Sequence, residues 1–517
     1  SGVISKFAFT NFWVAIARTI LPTRTSFIPI LLFNKSFLSM IFLCVIMITQ
    51  EKEIASMKNL KILFTLILLL CSISVAQAKT AKNKIDNRIE YINLDWWQKY
   101  NDPILTEYIS TAFENNQDLK IATLNVKQAD QVVKMAFANQ LPHAGFQGDV
   151  FRDFSSSTIK FGGITIPDYS QSNFFLPVTL SYEADIWGEN YLKTQSVKKQ
   201  LEMVKQNERA SYIYLTSSLA ANYFNLVKLD KLIKNQEELV KIQTEVVKLQ
   251  DKKYKNGLCT VMDLMNEKQL LTQLQEELNT YIDSRIVIGR EVGVLTGLRE
   301  KDLSEVKRGT YENIAIIPLP SGINAEVIQY RPDYLKAEDY VQKIGIDVKV
   351  ARRDFLPKFT LYGQAGFSAY NLTNIFGNHT FKSLIGFVPS IDLFTGGAKM
   401  ATLRYKKLEL EKAQQMYEKT ILTSIQEVNN SLGGAITRDL NYKESIKRYD
   451  LENEKFQLAN EKFNIGAKSN LDLMKDRERL LVAEKDEVNG KINYLISTIN
   501  IYKAVGGKDF TTVNDSL

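Results

Sequence analysis

Hydrophobic and polar residues alternate one by one in some stretches of this chain and recur at heptad spacing in others. From Val178 to Ile186, the residues Val178, Leu180, Tyr182, Ala184 and Ile186 fall on one face, and Thr179, Ser181, Glu183 and Asp185 on the other. Phe359, Leu361, Ala365, Phe367 and Ala369 alternate in the same way with Thr360, Tyr362, Gln364 and Ser368. Ile385, Phe387, Ile391 and Leu393 make a third apolar face, blemished by Pro389, and His143 to Val150 a weaker fourth. Period two with one polar face predicts half-buried strands. The pattern suits a sandwich sheet in water, or a barrel wall with lipid outside and water inside. The links at Asp153 to Ser172 and Tyr370 to Thr380 hold Ser, Thr, Asn, Gly and Asp, and read as exposed hairpin loops.

Between the strands the pattern changes. Of 11 prolines, none lies between Val178 and Ile317 and none follows Pro389. Proline breaks helix interiors, so both stretches are free to be helical, and both are rich in Lys, Glu, Leu, Gln and Ala. Leu232, Leu239 and Val246 recur every seventh residue, with Ile242 and Leu249 as companions, which reads as a coiled-coil seam. Asn190 to Lys255 as one helix would be about 100 Å long at ~1.5 Å per residue. A compact domain has no use for such a length; an object crossing a compartment does. Asp102-Pro103 reads as a helix start, with Asp as cap and Pro in the first turn.

The elements repeat. Tyr254-Lys-Asn-Gly257 followed by Asp263-Leu264-Met265 is matched by Phe463-Asn-Ile-Gly466 followed by Asp472-Leu473-Met474. Leu141-Pro142 recurs as Leu356-Pro357, and Asp185-Ile186-Trp187-Gly188 as Asp392-Leu393-Phe394-Thr395-Gly396-Gly397. Matches in one order at nearly one spacing argue for duplication of a half of about 210 residues. Each half reads helix, strand, loop, strand, long helix, glycine turn, long helix. The halves are placed at 79–300 and 301–517.

The N-terminal region carries an address. Met57-Lys58-Asn59-Leu60-Lys61 is a basic start, Ile62 to Ile73 a short apolar core, and Ala76-Gln77-Ala78 a cleavage site, so 57–78 reads as a secretory signal peptide cut before Lys79. Lipidation at Cys71 is the rival reading, against which stands the large Leu70 where a small residue is wanted. Residues 1–56 precede this complete signal and are expected to be a non-native extension, with Met57 the true start; a membrane anchor is the other reading.

Composition narrows the classes. The chain has 517 residues, 24% charged and 45% hydrophobic, so most of it should be ordered. A net charge of +7 is spread thinly, with no Lys/Arg block interleaved with aromatics, so nucleic acid is not an expected partner. Removing the signal leaves Cys259 alone, which excludes an intrachain disulfide. Two separated histidines, His143 and His379, speak against a catalytic triad or a His-based metal site. No nucleotide-binding Gly-rich loop is present. No enzyme, cofactor or metal is expected.

Four strands cannot close a membrane barrel, and an open edge in lipid leaves backbone groups unpaired at several kcal/mol each. The chain would therefore lend its strands to a shared barrel. The segments Trp96-Trp97-Gln98, Asp102-Pro103, Asn115-Asn116-Gln117-Asp118-Leu119 and Leu141-Pro142 resemble the opening of the outer-membrane efflux proteins of the TolC/OprM type. Ser181-Tyr182-Glu183-Ala184-Asp185-Ile186-Trp187-Gly188 is similar to that family's strand-to-helix motif. Ala221-Asn222-Tyr223-Phe224, Arg331-Pro332-Asp333, Phe355-Leu356-Pro357 and Leu393-Phe394-Thr395-Gly396-Gly397 follow in order. The resemblance spans residues 90–508 and is nearest to the NodT-like branch serving RND-type pumps.

It implies an α+β membrane protein: a homotrimer with a twelve-stranded β-barrel, four strands per chain, in outer-membrane lipid. A long α-helical coiled-coil barrel would continue it into the periplasm. A periplasmic adaptor and an inner-membrane RND pump are the implied partners. By the same resemblance the pore gate lies where the inner helices turn. Asp263 and Asp472 match its constricting acids, Lys468 a basic residue expected to pair with Asp263, Phe463 a position where relatives can have Tyr, and Lys475 one where a second acid can occur. The tips Gly257, Leu258, Thr260, Gly466, Ala467 and Ser469 match the adaptor contact. A plainer reading has the two acids complement the positive ends of the returning helices. The expected function is passive export through an outer-membrane channel of a tripartite system. The alternatives are a type I protein-secretion duct and a structural coiled-coil envelope protein.

Overall fold

A computed structural model describes residues 96–155, 160–161, 164–165, 169–297, 307–320 and 322–507. The chain divides into two units, Ser1–Arg88 and Ile89–Leu517, and every described residue belongs to the second. The extension 1–56, the signal peptide, Cys71 and the boundary between residues 300 and 301 lie outside the described residues.

After a 3-10 turn at Trp96–Tyr100 come α1 (Pro103–Asn115) and α2 (Gln117–Ala138). Asp102 caps α1: Oδ1 accepts from the N–H groups of Ile104 at 2.9 Å and Leu105 at 3.1 Å, with Pro103 in the first turn. Asn116 caps α2 through Leu119. The chain then enters a sheet: β1 (His143–Phe146), β2 (Asp149–Ser155) and β5 (Tyr169–Ala184), joined after the helix Pro332–Arg353 by β6 (Lys358–Ala369) and β7 (Phe381–Ser390). β1 and β2 both pair with β5, which pairs with β6, which pairs with β7, all antiparallel.

β1 and β2 occupy a single strand position. Their registers, Phe146↔Val178 and Asp149↔Phe175, are continuous, and the ladder lapses where Gln147 faces Pro177, which has no N–H to give. The sheet thus has four strand positions. On its other side Pro177 faces Gly366, where an added Cβ would stand 2.2 Å from the Leu176 carbonyl oxygen, so only glycine lets β5 and β6 approach this closely. The expected loop at Asp153 to Ser172 is shorter than the sequence suggests. Pairing runs on to Ser155↔Tyr169, and a two-residue ribbon of β3 (Lys160–Phe161) and β4 (Ile164–Thr165) follows. The stretch reads as loop because Ser and Asp dominate its ends, yet backbone pairing keeps those ends in the ladder.

The registers sort the side chains. Leu176, Val178, Leu180 and Tyr182 align with Phe359, Leu361, Ala365 and Phe367, and these with Phe381, Ile385 and Phe387, on one face. Asn173, Thr179, Ser181, Thr360, Gln364 and Ser368 take the other. β7 departs from the pattern with Leu384 and Val388 on the polar side. Phe359 and Phe387 stack near one end, beside Trp187, while Phe367 packs edge-on to Phe376 and Phe381 near the other.

The helices after the strands are matched in length. α3 (Glu189–Lys255) and α6 (Ala398–Asn464) each have 67 residues; α4 (Val261–Thr296) has 36 and α7 (Asn470–Ala504) 35; α2 and α5 (Pro332–Arg353) each have 22. At the entry to α3, Asp185 accepts from the N–H groups of Asn190 at 3.1 Å and Tyr191 at 2.8 Å, and the Trp187 indole N–H donates to the Pro357 carbonyl at 2.8 Å. α3 packs along α2, α4, α5 and α7, and α6 along α5 and α7. Among the described residues no helix is long and apolar enough to cross a membrane.

Leu232, Leu239 and Val246 are buried as the heptads predict, but their buried companions are Gln236 and Gln243, four residues on, and not Ile242 and Leu249, which stay half-buried. Each glutamine Nε2 donates to a main-chain carbonyl of α4, Gln236 to Leu274 and Gln243 to Glu267, both at 2.9 Å. A polar pair in a helical seam fixes its register.

The core sits where the helices cross the segment joining the two halves. Trp96 stacks on Tyr502 at 4.9 Å, and Tyr100 meets Phe224 at 5.0 Å. The joining segment is held from several sides. Tyr108 donates to the Lys307 carbonyl at 3.0 Å, Lys491 to that of Tyr311 at 2.9 Å, and Tyr494 to that of Ile317. The buried Tyr223 hydroxyl accepts from Gly309 N–H at 2.9 Å and donates to Asp102 Oδ2 at 2.6 Å. Burial and the Asp102 carboxylate push this hydroxyl well above its ordinary pKa, so it remains a donor. Arg331, also buried, bonds Asp333, Glu427 and the Ala504 carbonyl, tying α5 to α6 and α7; its role is structural.

Asp102→Ala removes a helix cap and the acceptor of a buried hydroxyl together. It should lower stability by about 2–4 kcal/mol, read as a fall in the thermal midpoint, with Tyr223→Phe milder. An unchanged midpoint for Asp102→Ala would show that this junction does not hold the fold.

Candidate functional site at the helical tips

The far ends of the two helical hairpins are built alike. Gly257 and Gly466 both have φ of +74°, the left-handed conformation that reverses a helix with little strain in a residue lacking Cβ. Behind them, Leu258 N–H bonds the Lys253 carbonyl and Ala467 N–H that of Lys462, each at 2.8 Å.

The acids that follow are occupied locally. Thr260 caps α4: its Oγ1 accepts from Asp263 N–H at 3.2 Å, while Asp263 Oδ2 accepts from Thr260 N–H at 2.9 Å and Oγ1–H at 2.7 Å. These bonds hold the Asp263 carboxyl below the usual carboxylate range. Ser469 caps α7, its hydroxyl donating to Asp472 Oδ2 at 2.6 Å and accepting from Asp472 N–H at 3.1 Å. The helix-end role weighed from sequence is therefore present in the geometry. The hydrogen bonds to both carboxylates use Oδ2, and both side chains remain exposed to water.

Lys468 does not meet Asp263. Its Nζ bonds Asp476 Oδ2, and Arg479 bonds Asp476 Oδ1, so this buried carboxylate is clasped by two cations. Asp263 is already engaged with Thr260, and Asp476 lies on the same hairpin as Lys468. Lys475 bonds Glu267 of α4 at 3.2 Å, and Arg477 bonds Glu238 of α3 at 2.8 Å. Lys485 reaches Glu277 of α4. A basic strip of α7 thus meets an acidic strip of the first hairpin. Asp476, Arg477, Glu238 and Glu267 stand out by no motif in the sequence; the i,i+3 pair Asp476–Arg479 is the one local signal.

Phe463 is about one-third exposed and supplies no hydroxyl at its position before Gly466. Around the turns, Leu258 is 73% exposed, Met262 66% and Ile465 80%, an apolar rim next to the small Ala467. Cys259 is a free thiol whose Sγ lies 3.6 Å from the Gln250 carbonyl. Among the described residues no group of His, Cys, Asp and Glu could hold a metal ion.

The sequence model of the family described as outer membrane efflux protein matches residues 108–287 and 325–507. The probable efflux pump outer membrane protein TtgC of Pseudomonas putida is 27% identical over 421 residues, which cover 80% of this chain and 84% of that protein. The cation efflux system protein CusC of Escherichia coli is 23% identical over 431 residues, 82% of this chain and 90% of its own. Among solved structures, the Campylobacter jejuni CmeC outer membrane channel superimposes with a TM-score of 0.71 at 22% identity, over 82% of this chain and 91% of that one. The outer membrane protein VceC of Vibrio cholerae gives 0.70 at 20% identity, over 80% and 98%.

A double-mutant cycle tests the pairing at the second tip. Lys468→Gln with Asp476→Asn should show coupling of about 1–2 kcal/mol, whereas Lys468→Gln with Asp263→Asn should show none. Coupling in the second cycle alone would return Asp263 as the partner.

Proposed function

The chain belongs to the outer membrane efflux protein family, and from that premise we propose how it builds its channel. It is a subunit of an outer-membrane efflux channel that reaches into the periplasm. Three copies join their sheets into a twelve-stranded barrel, each chain contributing its four strand positions. The observation that carries this is the sheet itself: one apolar face, one polar face, and two outer edges, at β7 and at β1–β2, with no partner strand among the described residues. Peptide groups at an edge in lipid are unaffordable, and neighbouring copies would pair them. The apolar face then meets outer-membrane lipid, with its aromatic clusters near the two interfaces, and the polar face lines the lumen.

The long hairpins of the two repeats, 79–300 and 301–517, continue as a periplasmic tube closed at its tips. Asp263 and Asp472 serve both as helix caps and as a ring of carboxylates that favours cations. Lys475, half spent on Glu267, offsets only part of that charge. The rim formed by Leu258 and Ile465, with Gly257, Thr260, Gly466, Ala467 and Ser469, takes a periplasmic adaptor protein, and an inner-membrane RND pump drives the passive duct. The relatives named for efflux favour small-molecule export over protein secretion, and a purely structural coiled coil does not account for a two-faced sheet.

Ion conductance in a planar bilayer tests the channel. The purified protein should pass small, cation-preferring currents, and the Asp263→Asn/Asp472→Asn double variant should lose most of that preference. Failure to insert would remove the barrel reading; unchanged selectivity would remove the acids from the gate. Leu258→Asp with Ile465→Asp should abolish co-purification with the adaptor while leaving the trimer intact, and retained binding would move the contact elsewhere.

A further inference from the structure

The two long helices meet the core differently. Counted from their first residues, 223–231 of α3 corresponds to 432–440 of α6. The α3 stretch is gripped by the segment that precedes the next 22-residue helix, α5. Gly309 N–H bonds the Tyr223 hydroxyl at 2.9 Å, and Arg308–Asp230 and Lys231–Glu312 are ion pairs, each at 3.3 Å. Val227 and Leu229 are buried there, whereas their counterparts in α6, Ile436 and Arg438, are exposed.

A cavity of about 490 Å³ opens beside this stretch of α6, between α6, α7 and the start of α5. Its lining carries the cations Arg331, Arg438 and Lys503 against one carboxylate, Glu427. Arg331 is matched by Asp333 and Glu427. Arg438 bonds the Gly434 carbonyl at 3.1 Å, and the Lys503 ammonium lies 5.5 Å from the centre of the Tyr214 ring. Neither pairs with a carboxylate among the described residues, and both side chains are exposed, so a partner can reach them.

The chain carries a surface of the opposite charge at the same level. α1 buries Leu105, Tyr108, Ile109 and Ala112. Glu107 and Glu114, two turns apart on the opposite side, are exposed and pair with no cation among the described residues. α1 leads into the 22-residue α2 as the joining segment leads into α5. Within the chain it packs on α3 and α4, while α6 packs on α5 and α7. Between copies the order changes. α6 follows β7 and α1–α2 precede β1, so a β7 edge paired with a neighbour's β1–β2 edge sets α6 beside that neighbour's α1.

We propose that the cavity receives α1 of a neighbouring copy, with Glu107 and Glu114 facing Arg438 and Lys503, so that ion pairs ring the trimer at the level of the core. The contact repeats between subunits the grip that the joining segment makes within one. It rests on the trimeric reading and adds to it the surface by which the helical layers recognise one another.

The test is the lifetime of the purified trimer in neutral detergent, followed by native mass spectrometry. Arg438→Glu/Lys503→Glu sets like charges against each other and should speed dissociation by about tenfold or more. Glu107→Lys/Glu114→Lys should do the same, and all four changes together should return the rate to within about threefold of wild type. A carbodiimide, which joins carboxylates to amines in contact, should link wild-type chains through Lys503 and Glu107 or Glu114; this arm needs no variant to fold. The contact is overturned if either reversal leaves the rate unchanged, if the fourfold variant is no better than the pairs, or if no such link forms between chains. Stable trimers indifferent to the reversals would remove this contact alone, whereas a wild type that forms no trimers would remove the trimeric reading with it.

Discussion

The Tyr223 hydroxyl is a single buried group through which the start of α1, the middle of α3 and the segment joining the two halves are fastened together. It donates to Asp102 and accepts from Gly309, and Asp102 spends its other oxygen on the first turn of α1. A polar network inside a protein is stable only when every member is satisfied. Here the phenol and the carboxylate both are, in the same belt where Trp96, Tyr100, Phe224 and Tyr502 bury their rings. The two longest helices, at about 100 Å each by ~1.5 Å per residue, cannot be held along their length by one globular core. The belt is where they are gripped, and the sheet at one end and the tips at the other inherit their positions from it.

The tips show how one residue can meet two demands. Asp263 and Asp472 stabilise the helices they start and still present charge to water, since the caps engage one oxygen of each. A short capping acid keeps its charge close to the turn, and the turn is the narrowest part of a hairpin. An anion needed for helix geometry therefore stands at the turn, where the proposed gate lies.

Much of this was legible in the sequence, for local reasons. Period-two alternation located the strands because side chains in a strand point alternately to its two faces. Proline-free stretches bounded the helices, and paired glycines marked the turns because the left-handed conformation there favours a residue without Cβ. What the sequence did not disclose depends on three-dimensional neighbours. Lys468 could be matched to an acid by family resemblance, but its choice of Asp476 over Asp263 follows from the course of the second turn. The seam companions Gln236 and Gln243 were passed over because buried glutamine breaks the hydrophobic pattern that heptad reading relies on; only the facing carbonyls of α4 explain them. The hairpin beyond Asp153 reads as loop because its residues, rich in Ser, Asp and Gly, have a loop's composition, and only the backbone pairing with Tyr169 to Gln171 reveals the strand.

The glutamine seam has a consequence for how the first hairpin tolerates change. Gln236 and Gln243 donate to main-chain carbonyls of Leu274 and Glu267, atoms that any residue type would provide at those places, and Gln243 donates also to the Glu267 carboxylate at 2.8 Å. Alignment of α3 against α4 is thus written almost wholly in α3. Glu267 apart, the facing helix can exchange its side chains during divergence without losing step, while loss of either glutamine cannot be made good by any single replacement across the seam. Sequence drift in this hairpin should therefore be lopsided, with one strand of the coil held and the other free.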